Sequence, residues 1–149
     1  MFVCLIYSYW RTHPALIWGV LGWWGTMGNA FGVTRLPGFG TSMTLQQALS
    51  NTRTDGYGTL YREGTASLLN SMVSNRFPFT TRQVRENFVA SLASNKAAGA
   101  QGHLFKLANE GRLKPRVWWE IIYLLFIFTV QFVEKIINWY IFCGCVLFN

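Results

Sequence analysis

Apolar side chains recur every three or four residues along much of the first 116 positions, which is the spacing of one face of a helix. Residues 59–75 (TLYREGTASLLNSMVSN) show this pattern most clearly. Residues 81–94 (TRQVRENFVASLAS) repeat it, with Val84, Phe88 and Leu92 as the inward stripe. No stretch of useful length alternates polar and apolar residues as a half-buried strand would. The pattern therefore predicts an all-α fold.

The helix predicted over residues 59–75 is expected to be buried on one face only. The face expected in the core consists of Tyr61, Thr65, Leu68, Leu69, Met72 and Val73. The face expected at the surface carries Arg62, Glu63, Ser67 and Ser71.

Several helix starts are marked by residues whose side chains can cap the first turn. Thr44 with Gln47, and Thr80 with Gln83, have the spacing of a capping box. Asn95 is predicted to cap a further helix, and Gly111 stands where that helix should stop. The positions of this helix expected in the core are Ala98, Leu104, Phe105 and Ala108.

The tryptophan-rich segment near the N-terminus, residues 14–27 (PALIWGVLGWWGTM), is also predicted to be helical. Thr12 can cap such a helix, and Pro14 fits its first turn, where no N–H is needed. Among the tryptophans of this segment, Trp23 is the one expected to be exposed. The positions that helical spacing assigns to the core are Ile17, Trp18, Leu21 and Trp24.

Segments rich in glycine and turn residues separate the predicted helices. Residues 28–42 (GNAFGVTRLPGFGTS) are typical of an irregular loop, and Asp55 followed by Gly56 is a turn signal. Roughly four or five helices fit between these breaks. We therefore predict a small helical bundle with a Gly-rich loop over residues 9–116, preceded by an atypical extension at residues 1–8.

Residues 117–149 differ in kind, because they are almost entirely apolar and aromatic. They predict an apolar C-terminal helical tail, but its uncharged stretch, 121–133, is 13 residues long, and crossing a bilayer takes about 20. Glu134 and Lys135 interrupt any longer span, and charges at the bilayer centre are costly. Three interpretations stay open: a transmembrane segment, an interfacial or packed helix, and sequence that is not part of a selected protein.

The chain carries a net charge of +7, and its basic character lies in the first 116 residues, which hold twelve Lys or Arg and four Asp or Glu. A basic surface suits acidic polysaccharide, anionic lipid headgroups or nucleic acid, and a solvated face without a partner is the plain alternative. Aromatic rings can add stacking on sugar rings. The candidate binding surface comprises Trp23, Arg82, Arg85, Lys114 and Arg116.

Residues with catalytic or metal-binding spacing are not found in the sequence. The only histidines, His13 and His103, have no neighbouring nucleophile or carboxylate arranged for catalysis. The three cysteines, Cys4, Cys143 and Cys145, do not form a zinc or disulfide pattern, and the carboxylates Asp55, Glu63 and Glu86 are isolated along the chain. We expect no catalytic residue, no cofactor and no metal.

A resemblance to a known family rests on three long segments: YWRTHPALIWGVLGWWGTMGNAFGV, LQQALSNTRTDGYGTLYREGTASLLNSM and FPFTTRQVRENFVASL. Over residues 9–116 the chain closely resembles the C-terminal domain of the plant protodermal factor family. This resemblance implies a plant protein of the shoot epidermis, secreted to the cell wall, with a structural or interaction role and no enzymatic activity. Its implied partners are cell-wall polysaccharide or wall proteins, and no nucleic acid is expected.

The region of resemblance contains the positions expected to matter structurally. Trp10, His13 and Pro14 form a W-x-x-H-P motif, and Asp55 with Gly56 forms the turn signal described above. We expect the motif to fix a helix start and the pair to fix a turn.

Both ends of the chain depart from the family pattern. Family members carry a signal peptide and a proline-rich segment ahead of this domain, which the chain as written lacks, and they end close to the equivalent of residue 116. One expectation is therefore a partial or mispredicted gene product, with residues 1–8 and 117–149 outside the natural coding sequence. The alternative is a small membrane-anchored protein that uses residues 117–148 as its anchor.

Overall fold

A computed structural model of the chain describes residues 7–22, 25–40, 42–116, 123 and 125–135. In this part of the chain, residues 125–135 are helical, and no strand occurs beyond two isolated bridges. The all-α prediction is confirmed. The helices of the first 109 residues are α1 (Tyr7–Thr12), α2 (Pro14–Leu21), α3 (Met27–Phe31), α4 (Leu45–Ser50), α5 (Gly56–Val73), α6 (Thr81–Ser91) and α7 (Asn95–Asn109).

The chain separates into two compact units, Met1–Pro115 and Arg116–Asn149. The first unit contains α1 to α7 and all the core residues that lie in the described part of the chain. In the second unit, the structure describes residues 116, 123 and 125–135. Among all described residues, no helix combines the length and the apolar character needed to cross a bilayer. The remainder of the predicted tail, the three cysteines and residues 1–6 lie outside the description.

Helix α5 forms the centre of the first unit, with its most extensive contacts to α7 and further contacts to α4, α6, α1 and α2. Because neighbours cover it on several sides, the face predicted to be exposed is buried: Glu63 is 4% exposed and Ser67 is fully buried. The prediction of a half-buried helix is therefore wrong. Val73, predicted to face the core, is 51% exposed at the end of α5.

Glycines allow α5 and α7 to approach closely. A Cβ added at Gly102 of α7 would lie 2.9 Å from the backbone nitrogen of Leu60 in α5. At Gly56, a Cβ would collide with the carbonyl oxygen of Asn95. The most extensive helix contact of the fold thus depends on residues without a side chain.

The predicted caps of α4 and α6 are confirmed. Thr44 and Thr80 each accept a hydrogen bond from the backbone N–H three residues later, and the glutamine at that position bonds back to the cap residue. Asp55 also caps a helix: its side chain accepts from the backbone N–H of Gly58, so Asp55 and Gly56 begin α5 and do not form the predicted turn.

The two boundaries of α7 show one correction and one confirmed prediction. Ser94, not Asn95, is its cap, because the Ser94 side chain accepts from the backbone N–H of Ala97 at 3.1 Å. Gly111 follows the helix with a φ of 71°, a left-handed conformation that favours glycine, and this confirms the predicted stop.

The single helix predicted over residues 14–27 is two helices separated by a break. Helix α2 ends at Leu21, and Gly22 leaves it with a φ of 57°. Thr26 then caps α3, which lies largely within the segment predicted to be a loop. Thr12 does not cap α2, because its hydroxyl donates to carbonyls of α1. His13 holds the cap position, but its side chain does not accept from the first turn of α2.

Two further side chains predicted to fill the core lie at the surface. Trp18 is 62% exposed and Leu104 is 43% exposed, whereas Ile17, Ala98, Phe105 and Ala108 are buried as predicted. Helical spacing identifies a stripe but not its width, and both exposed residues lie at the edges of their stripes. Trp23, Trp24 and the side chain of Leu21 lie outside the description.

Candidate functional site

A polar network runs through the core of the first unit and joins α1, α5 and α7. Trp10 Nε1 donates to Asn70 Oδ1 at 3.0 Å, and Asn70 Nδ2 donates to Asn109 Oδ1 at 3.0 Å. Asn109 Nδ2 in turn donates to Glu63 Oε2 at 2.9 Å and to the Glu63 carbonyl at 3.1 Å. All four residues are buried, so the tryptophan of the W-x-x-H-P motif anchors α1 to the central helix.

The Glu63 carboxyl is the ionisable group among these four side chains. Burial raises its pKa, while the hydrogen bond from Asn109 and the charges of Arg62 and Lys106 act in the opposite direction. Its bonds are made within the network, and it does not line the cavity described below. The arrangement stabilises the fold and shows no access for a substrate.

His13 and Pro14 form the junction between α1 and α2. The His13 ring stacks on Tyr9 with centroids 4.3 Å apart, and its Nδ1 lies 2.9 Å from the Tyr9 carbonyl oxygen. Pro14 is the first residue of α2, where its missing N–H costs no hydrogen bond. These contacts give the motif a structural role at the turn between the two helices.

Asp55 organises a second junction, at the start of α5. Its carboxylate is paired with the guanidinium of Arg53, which lowers the pKa of Asp55 against the opposing effect of burial. The Arg53 guanidinium also lies 5.2 Å from the centroid of the Phe39 ring. Asp55 therefore links the loop before α5 to the helix.

Two residues of the predicted binding surface lie on α6, and each of them has its own partner. Arg82 pairs with Glu86 one turn along α6 at 2.7 Å, and Arg85 donates to the Ala30 carbonyl at 2.8 Å. Lys114 is exposed. Arg116 belongs to the second unit, and Trp23 is outside the description.

The charges of the first unit are nevertheless distributed unevenly at its surface. Its four carboxylates all have polar partners: Asp55 with Arg53, Glu63 with Asn109, Glu86 with Arg82, and Glu110 with Lys106 and Arg112. Four exposed cations have no ion pair among the described residues: Arg11, Arg35, Lys96 and Lys114. The surface therefore presents uncompensated positive charge.

A cavity of about 410 Å³ opens between α2, α3 and the start of α4. The exposed ring of Trp18 forms part of its wall. Local sequence spacing does not predict this cavity, because its residues come from three helices. Helical spacing also places Trp18 in the core, whereas the structure exposes it. The lining consists of Pro14, Ile17, Trp18, Gly22, Gly25, Thr26, Asn29, Thr44, Leu45 and Gln46.

A metal site in the structure would need several ligating side chains around one point. In the ranges that it describes, no group of three or more His, Cys, Asp or Glu side chains converges on a point.

Comparison with known proteins places the chain in a family. Residues 6–117 match the family model described as the protodermal factor 1 C-terminal domain. The chain is similar to Protodermal factor 1 of Arabidopsis thaliana, with 69% identity over 114 residues, which cover 74% of this chain and 37% of that relative. The chain thus matches little more than a third of the relative's length. No solved structure matches it.

Proposed function

The chain belongs to the protodermal factor family, and from this premise we propose that it is a non-enzymatic component of the plant epidermal cell wall. Its role there is structural, through binding of acidic polysaccharide such as pectin. The name of the Arabidopsis relative supports a role in the protoderm, the layer that forms the epidermis. The proposal includes secretion to the wall, which the family resemblance supports.

The uncompensated surface charge is the observation that carries the binding proposal. Arg11, Arg35, Lys96 and Lys114 are exposed and without a carboxylate partner in the described chain, while every carboxylate of the first unit is occupied. A polymer of uronic acids supplies regularly spaced carboxylates to such a surface. Attraction of this kind between exposed charges is weak per pair and is screened by salt.

The test is retention of the full chain on de-esterified pectin across a salt titration. We expect retention at low ionic strength that is lost as salt shortens the screening length to a few ångströms, about 3 Å at 1 M. If the chain is not retained, or if retention is insensitive to salt, charge-mediated binding is excluded.

Two charge-matched double variants test which cations are involved. Lys96→Gln with Lys114→Gln removes two unpaired cations and should weaken low-salt binding roughly fivefold, because each exposed pair contributes about 0.5 kcal/mol. Lys106→Gln with Arg112→Gln removes two cations already paired with Glu110 and should have a smaller effect. Equal effects would show that only the net charge matters and would reject the assigned residues.

A further inference from the structure

We propose that the cavity between α2, α3 and α4 binds one pyranose ring of a neutral glycan. This site is separate from the charge-mediated binding proposed above and does not depend on it. The cavity volume of about 410 Å³ falls within the range of small-ligand pockets, about 300–1,000 Å³. The ligand class follows from the side chains that line the cavity.

Trp18 supplies an aromatic surface. Its side chain is 62% exposed although tryptophan is usually well buried, and beside it Ile17 and Leu45 form buried apolar wall. The C–H face of a pyranose ring is apolar and flat, so it can cover an indole ring while its hydroxyl groups point outward to polar partners. An aromatic wall inside a concave site is suited to such a ring.

Gln46 supplies an acceptor that lacks a donor. Its Nε2 donates to the Arg11 carbonyl at 3.0 Å, which fixes the orientation of the amide because only the NH₂ end can donate. Its Oε1 is buried and has no hydrogen-bond partner among the described residues. A buried acceptor without a donor is unfavourable, and a ligand hydroxyl would satisfy it once a small shift of the side chain opens the oxygen to the cavity, whereas an alkyl chain would not.

Thr26 and Thr44 supply further polar groups on a fixed backbone. Their hydroxyl oxygens accept from the backbone N–H groups of Asn29 at 3.3 Å and Gln47 at 3.1 Å, so each hydroxyl hydrogen remains available to donate. The two segments are joined on either side, by Met27 N to the Met43 carbonyl at 2.8 Å and by Leu45 N to the Gly25 carbonyl at 3.0 Å. The polar side of the cavity is therefore preorganised.

The polar groups of the cavity favour an uncharged ligand. Its described polar side chains are hydroxyls and amides, from Thr26, Asn29, Thr44 and Gln46, and none of its described lining residues is ionisable. A carboxylate placed there would lose water without gaining a cation. A neutral glycan gains both the stacking and the hydrogen bonds.

The test is isothermal titration calorimetry of the full chain with cellohexaose, mannohexaose and a xyloglucan oligosaccharide, in low salt and in about 0.5 M NaCl. We expect at least one of these neutral probes to bind with an affinity that salt leaves unchanged. Failure of all three to bind overturns the proposal. Because retention on de-esterified pectin is measured separately, failure of these neutral probes to bind does not contradict the proposed charge-mediated function.

Variants localise the site. Trp18→Ala should weaken binding about tenfold or more and Trp18→Phe should largely restore it, since an aromatic face is kept. Gln46→Leu should also weaken binding. Leu104→Ala, which truncates another exposed apolar side chain on α7 outside the cavity lining, should change nothing.

Two further results would contradict the assignment. Binding that survives Trp18→Ala in a chain with unchanged helical circular dichroism places the glycan elsewhere. Trp18-dependent binding of laurate or of trigalacturonate in place of the neutral probes would show that the cavity takes a lipid chain or an acidic sugar.

Discussion

Asn109 uses the full hydrogen-bonding capacity of its side chain inside the core. Its Oδ1 accepts from Ser67 and Asn70, and its Nδ2 donates to the carbonyl and the carboxyl of Glu63. An amide offers two donors and two acceptor sites, so an aspartate or leucine at this position would leave buried partners unsatisfied. Nothing in the local pattern marks this role, because Asn109 stands at the end of α7, where polar residues are common.

Glu63 should make the stability of the first unit depend on pH. Its pKa is raised in the folded state by burial, so the folded state holds the proton more tightly than the unfolded state. Glu63 therefore stabilises the folded state fully below its unfolded pKa, about 4.3. This contribution to the free energy of unfolding is lost as pH rises through the folded pKa. Glu63→Gln cannot titrate, and its stability relative to the natural chain should increase from about pH 4 to about pH 7.

Urea denaturation at both pH values measures this difference. Glu86→Gln is the control, because the Glu86 side chain is 58% exposed and its surface ion pair contributes little. The quantity compared is the free energy of unfolding of Glu63→Gln minus that of the natural chain. If this quantity stays constant or falls as pH rises, the raised pKa is contradicted.

At the scale of the helices, local sequence signals determined the starts of α4 and α6. A capping box lies within four consecutive residues, so Thr44 with Gln47 and Thr80 with Gln83 could be found without tertiary information. The Gly-rich segment contains a helix that its composition does not predict. Thr26 caps the five-residue α3 there, and so short a helix depends mainly on packing for its stability.

Removal of the Thr80 cap should destabilise the fold. Thr80→Ala removes the acceptor for the backbone N–H of Gln83 and should lower the free energy of unfolding by about 1 kcal/mol. Thr80→Ser keeps the hydroxyl and should lie closer to the natural chain. Denaturant unfolding monitored by circular dichroism compares the three proteins, and equal losses for alanine and serine would show that the cap is not the cause.

At the scale of the whole molecule, the first unit is organised by the close packing of α5 and α7. Gly99 and Gly102 lie in the same helix, but their surroundings differ. A Cβ at Gly99 would lie 3.4 Å from Gly56 Cα, an ordinary contact, whereas at Gly102 it would lie 2.9 Å from Leu60 N. The same substitution should therefore have opposite effects at the two positions.

Gly102→Ala should lower the free energy of unfolding by about 1–3 kcal/mol, because the helices must move apart. Gly99→Ala should leave it unchanged or raise it by up to about 1 kcal/mol, since alanine favours a helix more than glycine does. Thermal unfolding of both variants measures this. If both destabilise equally, close approach of α5 and α7 does not explain the role of Gly102.

The sequence alone determined the helical class, the capping boxes of α4 and α6, and the stop at Gly111. It also determined most of the buried stripes of α6 and α7, because periodicity and capping act over a few neighbouring residues. It also carried the resemblance that family membership confirms. Only the tertiary structure decided that α5 is buried on its polar face, that Trp18 is exposed beside a cavity, and that Glu63 and Asn109 share a network. These features depend on which helices meet, and residues such as Trp10 and Asn70, 60 positions apart, become neighbours only when the chain is folded.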